Sequence, residues 1–327
     1  AGTRVKPLAQ VLSEAGKTQF HCAESEKFAH VTFFFNGGEN TSFPGEEDVC
    51  VPSPKGIDFD QKPELSLPEV ARTVAGALGK YDFIVTNFAN GDVIGHTQNT
   101  AAKLDACGYV SRALEQVVDA ALAQDYVVAI TADHGNIEKL YTVAGKPDGS
   151  HTTNLVPFIL IDSRQEDPIS LRDGALCDVA PTILDVMGLP QPLEMTGRSL
   201  AEGHAWSRGR RMLLIICDAG AWAPAMRRRH PPGPHPYWDA FWKIAPGAAC
   251  RPPVNLWAWG PARPATPRPD TPIWGPAGAS CRTTCGWTRR CRTAPSPAIR
   301  SSGGHRACQT EPCLPASAGL PHPYVLP

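Results

Sequence analysis

Five residues in a sixty-residue window carry the side-chain types that bind divalent ions: Asp92 and His96 in NGDVIGH, Asp133 and His134 in TADHGN, and His151 in SHTTN. Carboxylate oxygen and imidazole nitrogen suit manganese, zinc and similar ions. Asp92 and His96 stand four apart in a glycine-containing loop, close enough to hold one ion together. Asp133 and His134 are adjacent, so their side chains diverge if the backbone stays extended. Ligands facing opposite ways suit two ions rather than one. A pair of ions about 3.5–4 Å apart stabilises the attacking and leaving oxygens of phosphoryl transfer. Taken singly, an Asp-His pair at a strand end is ordinarily a turn with a helix cap, and a lone histidine before Thr-Thr-Asn is ordinarily a surface residue. Three such clusters so close together favour a metal site.

These clusters need a frame that brings them together. HVTFFFN (30–36), YDFIVTNFANGD (81–92), YVVAITADHGN (126–136) and VPFILID (156–162) read as strands, the first ending at Asn36-Gly37-Gly38. SLPEVARTVAGALGK (66–80) opens with Ser66 and has Glu69 three residues on, the pattern of a capping box. Residues 101–124 place apolar side chains at helical spacing, and 178–189 form a short helix that Gly188 can end. Strand and helix alternating at this spacing predict an α/β fold of parallel units with right-handed crossovers. In such sheets ligands bind beyond the carboxyl ends of the strands, and NGD, ADHGN and HTTN lie at or beside strand ends, a placement that allows all three to face one crevice.

The bulk composition divides the 327 residues in two. The net charge of −1 conceals −11 over residues 1–210 and +10 over 211–327. The second stretch holds 21 of 33 prolines, 7 of 8 tryptophans and 7 of 11 cysteines. The balanced total gives no argument for a nucleic-acid or membrane partner. No run approaches the roughly 20 apolar residues of a membrane span, and no basic-plus-apolar leader opens the sequence. Cys22, Cys50, Cys107 and Cys177 have no pair spacing and read as buried thiols of a cytoplasmic protein. Cys281, Cys285, Cys291, Cys308 and Cys313 fit no common zinc spacing.

The strings ESEKFAHVTFFFNGGENTSFPGEE, VPSPK, NFANGDVIGHT, TADHGNIEKL, HTTNLVPFIL and LRDGALCDVAPTILDVMGLPQPLEMTGRSL occur in order from about residue 8 to residue 200. Together they resemble cofactor-independent phosphoglycerate mutase, of the alkaline phosphatase superfamily. The resemblance implies a mostly parallel sheet with helices on both faces and a small-molecule substrate, phosphoglycerate. It also implies two Mn²⁺ ions, a monomer as the default state, and a place in glycolysis. Asp92, His96 and His151 match the ligands of one manganese, and Asp133 and His134 match two ligands of the other. Lys27 in ESEKFAH matches a lysine near the phosphoserine, where a cation offsets phosphoryl charge. VPSPK with Lys55 reads as a loop, Arg198 as structural, and Arg172-Asp173 as a turn.

The departures from that family are as informative. Its chain opens with a strand and an Asp-Gly, then a serine nucleophile in a GNSEVGH-like motif, then a domain whose arginines clamp the substrate. None of this precedes residue 1. GRRMLLIICDAGAWAP (209–224) resembles that opening strand, displaced to follow the usual end. Asp218 then matches the remaining metal ligand, with Gly220 and Trp222 slightly out of register. One arrangement consistent with this is a circular permutation. It divides the chain into a metal-binding domain over 1–205, a displaced first strand over 206–224 and an irregular tail over 225–327. PYWDAFW (236–242) is a faint continuation, and the tail beyond also reads as a frameshifted N-terminal half. Without the serine, the expectation for this chain is little or no mutase turnover. The alternatives are a non-catalytic metal-binding fragment of a rearranged gene, or another phosphatase, phosphopentomutase or sulfatase of the superfamily.

Overall fold

In the computed structural model, which describes residues 6–164, 169–201, 203–207 and 209–220, the chain builds one six-stranded sheet. The elements run α1 (Leu8–Glu14), β1 (Gln19–Glu24), α2 (Phe28–Val31), β2 (Glu46–Val51), α3 (Leu67–Ala77), β3 (Phe83–Phe88), α4 (Asn90–Gly95), α5 (Thr100–Ala123), β4 (Tyr126–Thr131), β5 (Phe158–Ile161), α6 (Val179–Met187) and β6 (Arg211–Cys217). The strands lie in the order β2-β1-β3-β6-β4-β5. All neighbours are parallel except β4 and β5. The expected strand at 156–162 is therefore present as β5, but it returns antiparallel at the sheet edge.

Alternation along each strand sorts the core into two layers. Phe83, Val85, Val127, Ala129, Met212 and Leu214 meet α1 and α6 on one face. Ile84, Val128, Ile130, Leu213 and Ile215 meet α3 and α5 on the other. Each helix contributes a stripe at helical spacing: Leu67, Val70, Ala71 and Val74 from α3, and Leu114, Val117, Val118 and Ala121 from α5. Asn99 starts α5 by accepting a hydrogen bond from the Ala102 amide at 3.1 Å. Gly188 ends α6 in the left-handed region at φ 68°.

Several sequence expectations need correction. Residues 30–36 are not a strand but the end of α2 and successive turns. An aromatic run carries no periodicity that separates a strand from a packed turn. Here Phe35 stacks on Phe83 and the positive φ of Gly37 and Gly38 turns the chain back. This side of the sheet is made instead by β1 and the edge strand β2, which the sequence patterns do not reveal. Ser66 makes no capping box: its hydroxyl donates to the Pro52 carbonyl at 2.6 Å, and Glu69 pairs with Arg72. Cys22 is buried, but Cys50 and Cys177 are exposed. No helix among the described residues is long and apolar enough to cross a membrane. Trp222, PYWDAFW and the tail cysteines from Cys281 onward lie outside the described residues.

Candidate metal centre

Four neighbouring parallel strands, β1, β3, β6 and β4, end on one side of the sheet. Each leads directly into a residue singled out by its chemistry. β1 leads to Lys27, β3 to Asp92, β4 to Asp133 and His134, and β6 to Asp218. Asp92 and His96 do not sit in a loop: Asp92 is inside α4 and His96 caps it. The four-residue spacing places them on one helical face.

The first cluster is tight. Asp92 Oδ1 lies 3.1 Å from His96 Nε2 and 3.0 Å from His151 Nε2, and the two Nε2 atoms are 3.1 Å apart. His96 Nδ1 faces the Gly149 carbonyl at 2.7 Å. A carbonyl can only accept, so Nδ1 carries the proton and Nε2 keeps its lone pair for the cluster. His151 stands on a loop held by the Gly135–Thr152 bridge. The buried Glu138 carboxylate strengthens that hold by accepting from the Asn136 amide at 2.8 Å, from Thr152 and from Asn154.

The second cluster gathers Asp133, His134 and Asp218. His134 Nε2 is 3.6 Å from Asp133 Oδ2 and 3.6 Å from Asp218 Oδ1. The adjacent pair therefore converges rather than diverging, because the chain leaves the extended conformation after Thr131 and bends at 133–134. His134 also stacks on His151 with ring centroids 3.8 Å apart, and its Nε2 lies 3.9 Å from Asp92 Oδ1. The two clusters thus share a wall. Asp133 Oδ1 accepts from the Ala219 amide at 3.2 Å, which ties β4 to the end of β6.

Lys27 bridges the clusters. Its Nζ is 2.6 Å from Asp92 Oδ2 and 2.9 Å from Asp218 Oδ2, with the side chain 8% exposed. Burial opposes its charge, but Asp218 and Asp92 more than offset that and hold its pKa above the ordinary lysine value. For Asp92, burial is likewise outweighed by His151, His96 and Lys27, which hold the carboxyl well below the usual range. Asp133 moves the other way, pushed up to about 6 by burial and by the neighbouring Asp218.

The donor set fits divalent ions. Asp218 Oδ1 is buried without a hydrogen-bond partner and points into the second cluster. Ligand atoms about 2.1 Å from one ion lie roughly 3.0–3.4 Å from one another in octahedral or tetrahedral geometry, which matches the 3.0–3.1 Å spacings of the first cluster. Asp92, His134 and His151 also form one close group, and Asp133, His134 and Asp218 another.

Two supports escaped the sequence reading. Asn87 donates to Asp218 Oδ2 at 2.9 Å from within β3. Its signal is an amide in the mostly apolar run FIVTNF, every position of which is buried. Gly91 is the other: a Cβ there would stand 2.2 Å from the Asp218 carbonyl oxygen. Gly91→Ala is expected to force α4 away from β6, costing about 1–3 kcal/mol and lowering Mn²⁺ affinity by about tenfold or more. A Mn²⁺ titration followed by electron paramagnetic resonance checks this, and unchanged affinity would show that the close approach does not set the site. Lys55 is exposed, whereas Arg172 is structural, pairing with Asp178 at 3.1 Å. Arg198 donates its backbone amide to the same carboxylate at 2.9 Å.

Against this geometry stand the relatives. The family described as "Metalloenzyme superfamily" matches residues 2–191. The 2,3-bisphosphoglycerate-independent phosphoglycerate mutase of Akkermansia muciniphila is 51% identical over 192 residues, 58% of this chain and 37% of that one. The enzyme of the same name from Moorella thermoacetica is 50% identical over 193 residues, 59% of this chain and 37% of its own. Among solved structures, Leishmania mexicana phosphoglycerate mutase at low cobalt concentration superposes with a TM-score of 0.53 and 28% identity. That superposition covers 59% of this chain and 38% of the other. The matched part spans less than two fifths of the length of these relatives.

Proposed function

Because the chain belongs to the Metalloenzyme superfamily, we propose that it carries the metal-binding half of a phosphoglycerate mutase. The reaction is the interconversion of 3-phosphoglycerate and 2-phosphoglycerate through a phosphoserine, in cytoplasmic glycolysis, by a monomer. One observation carries the reading: two Asp/His clusters sharing a wall at the strand ends, bridged by Lys27, in a chain whose relatives bear that name.

Two Mn²⁺ ions are the proposed occupants. Asp92, His96 and His151 would hold one, and Asp133, His134 and Asp218 the other. When bound, such ions polarise phosphoryl oxygens and lower the pKa of a hydroxyl nucleophile. The protein's own part is to place charge. Lys27 keeps its proton between Asp92 and Asp218 and so presents a fixed cation where phosphoryl charge develops. The Gly149 carbonyl fixes the tautomer of His96, and Asn87 fixes the rotation of Asp218.

The proposed reaction also needs a serine nucleophile and arginines to clamp the substrate. No GNSEVGH-like string occurs among the 327 residues. Covalent catalysis and orientation each contribute several kcal/mol, with orientation alone worth roughly 7–11 kcal/mol in well-aligned systems. The expectation is therefore bound metal with little or no turnover by this chain alone. Adding a complementing mutase N-terminal half should restore activity.

A mutase assay coupled to enolase, with Mn²⁺ supplied and metal content measured on the same sample, tests both parts. Bound metal lost in His134→Ala, with turnover appearing on complementation, supports the proposal. Metal binding that is never rescued to turnover favours a non-catalytic fragment. Absence of bound metal in the parent chain overturns the reading.

A further inference from the structure

A second group of ligand-type side chains lies at the other edge of the sheet, between β1 and β2. His21 of β1 faces Glu46 and Asp48 of β2, two residues that share a strand face. His21 Nδ1 is 3.3 Å from Glu46 Oε1 and 3.6 Å from Asp48 Oδ1. The His21 side chain is fully buried, and neither ring nitrogen makes a well-formed hydrogen bond, the Val31 backbone supplying only a weaker polar contact. Asp48 Oδ1 and Asn36 Oδ1 are buried and unpartnered beside it.

The outer oxygens are, by contrast, well held. Glu46 Oε2 accepts from the Phe43 amide at 2.9 Å, and Asp48 Oδ2 accepts from the Ser42 hydroxyl at 2.5 Å. Asn36 Nδ2 donates to Glu46 Oε1 at 2.6 Å, which leaves that oxygen a further lone pair. These contacts turn Glu46 Oε1 and Asp48 Oδ1 inward onto the imidazole. Phe35 and Phe83 close the opposite side with edge-on ring contacts at 5.2 and 6.4 Å. An imidazole nitrogen facing two carboxylate oxygens needs a proton or a cation between them. The His21 ring nitrogens and Asp48 Oδ1 are the atoms this arrangement leaves without a well-formed hydrogen bond.

The geometry points to a divalent-cation site at His21, Glu46 and Asp48, of the zinc class. One nitrogen and two oxygens at about 2.0–2.1 Å from a tetrahedral ion stand roughly 3.3–3.4 Å apart, close to the distances here. Asp48, with its side chain 19% exposed, is the side from which an ion enters. A bound ion would clip β2, the outermost strand, to β1. This site is independent of the centre at the strand ends and of the reaction proposed there.

Equilibrium dialysis of the chelator-stripped full chain against Zn²⁺, with bound metal counted by emission spectrometry, tests it. His21→Gln and Asp48→Asn are each expected to bind one ion fewer than the parent and to show a smaller Zn²⁺-induced rise in melting temperature. An Asp92→Asn, Asp133→Asn double variant should keep the ion that these remove, which separates the two centres. Should His21→Gln fail to fold by circular dichroism, Asp48→Asn at the edge decides alone. Equal stoichiometry in parent and Asp48→Asn would overturn the site and leave a proton shared among the three groups.

Discussion

A chain ending at residue 208 is expected not to fold. β6 lies between β3 and β4, so its removal leaves two ladders unpaired in the centre of the sheet. Met212, Leu213, Leu214 and Ile215 are each at most 3% exposed. Burying four such side chains contributes about 1.5–3 kcal/mol each, roughly 6–12 kcal/mol together. A whole domain is stable by only about 5–15 kcal/mol. The loss is therefore comparable to the total, before the unpaired backbone groups are counted. Far-UV circular dichroism and thermal unfolding of the truncated chain check this. A cooperative transition close to that of the parent would show that β6 is an accessory strand, and would remove Asp218 from the centre.

Lys27→Met is expected to be the most damaging single change at the centre in metal-free protein. Asp92 and Asp218 would lose the cation 2.6 and 2.9 Å away, and Asp133 stands beside them. Removing one partner from a buried charge cluster typically costs about 3–5 kcal/mol. For a domain of this size that is a fall in melting temperature of roughly 6–20 °C. Mn²⁺ should recover more of the loss in the variant than it adds to the parent, since an ion bound to the Oδ1 atoms supplies the missing positive charge. A lysine that merely packed would lower both states equally. Melting curves with and without Mn²⁺ distinguish the two, and an identical Mn²⁺ gain in parent and variant would refute a charge-balancing role.

Both predictions turn on contacts of different legibility. The chemistry of Asp92, His96, Asp133, His134 and His151 was readable because ligand type is a property of the side chain and because each cluster adjoins an apolar run. Elements of regular pattern were readable too: YVVAIT is a continuous apolar run, buried on both faces, and helical spacing in 101–124 reports which face of that helix is buried. The elements that failed to show were those whose residues break those patterns. β1 buries Gln19, His21 and Glu24 among its apolar neighbours, and β2 carries three acids. The run at 30–36 misled in the opposite direction, since Phe35 packs over His21 and Phe83 without the segment forming a ladder.

By itself, then, the sequence determined the ligand inventory, the α/β character and the likeness of Asp218 to a metal ligand. Tertiary structure alone decided that Asp218 meets Asn87 across 131 positions, that Asp133 and His134 converge, and that Lys27 bridges the two clusters. The reason is physical. Periodicity tells a residue which side of its own strand is buried, a local quantity set by adjacent side chains. Which strand pairs with which depends on closing every ladder and filling every layer at once, and only the folded chain satisfies both conditions together.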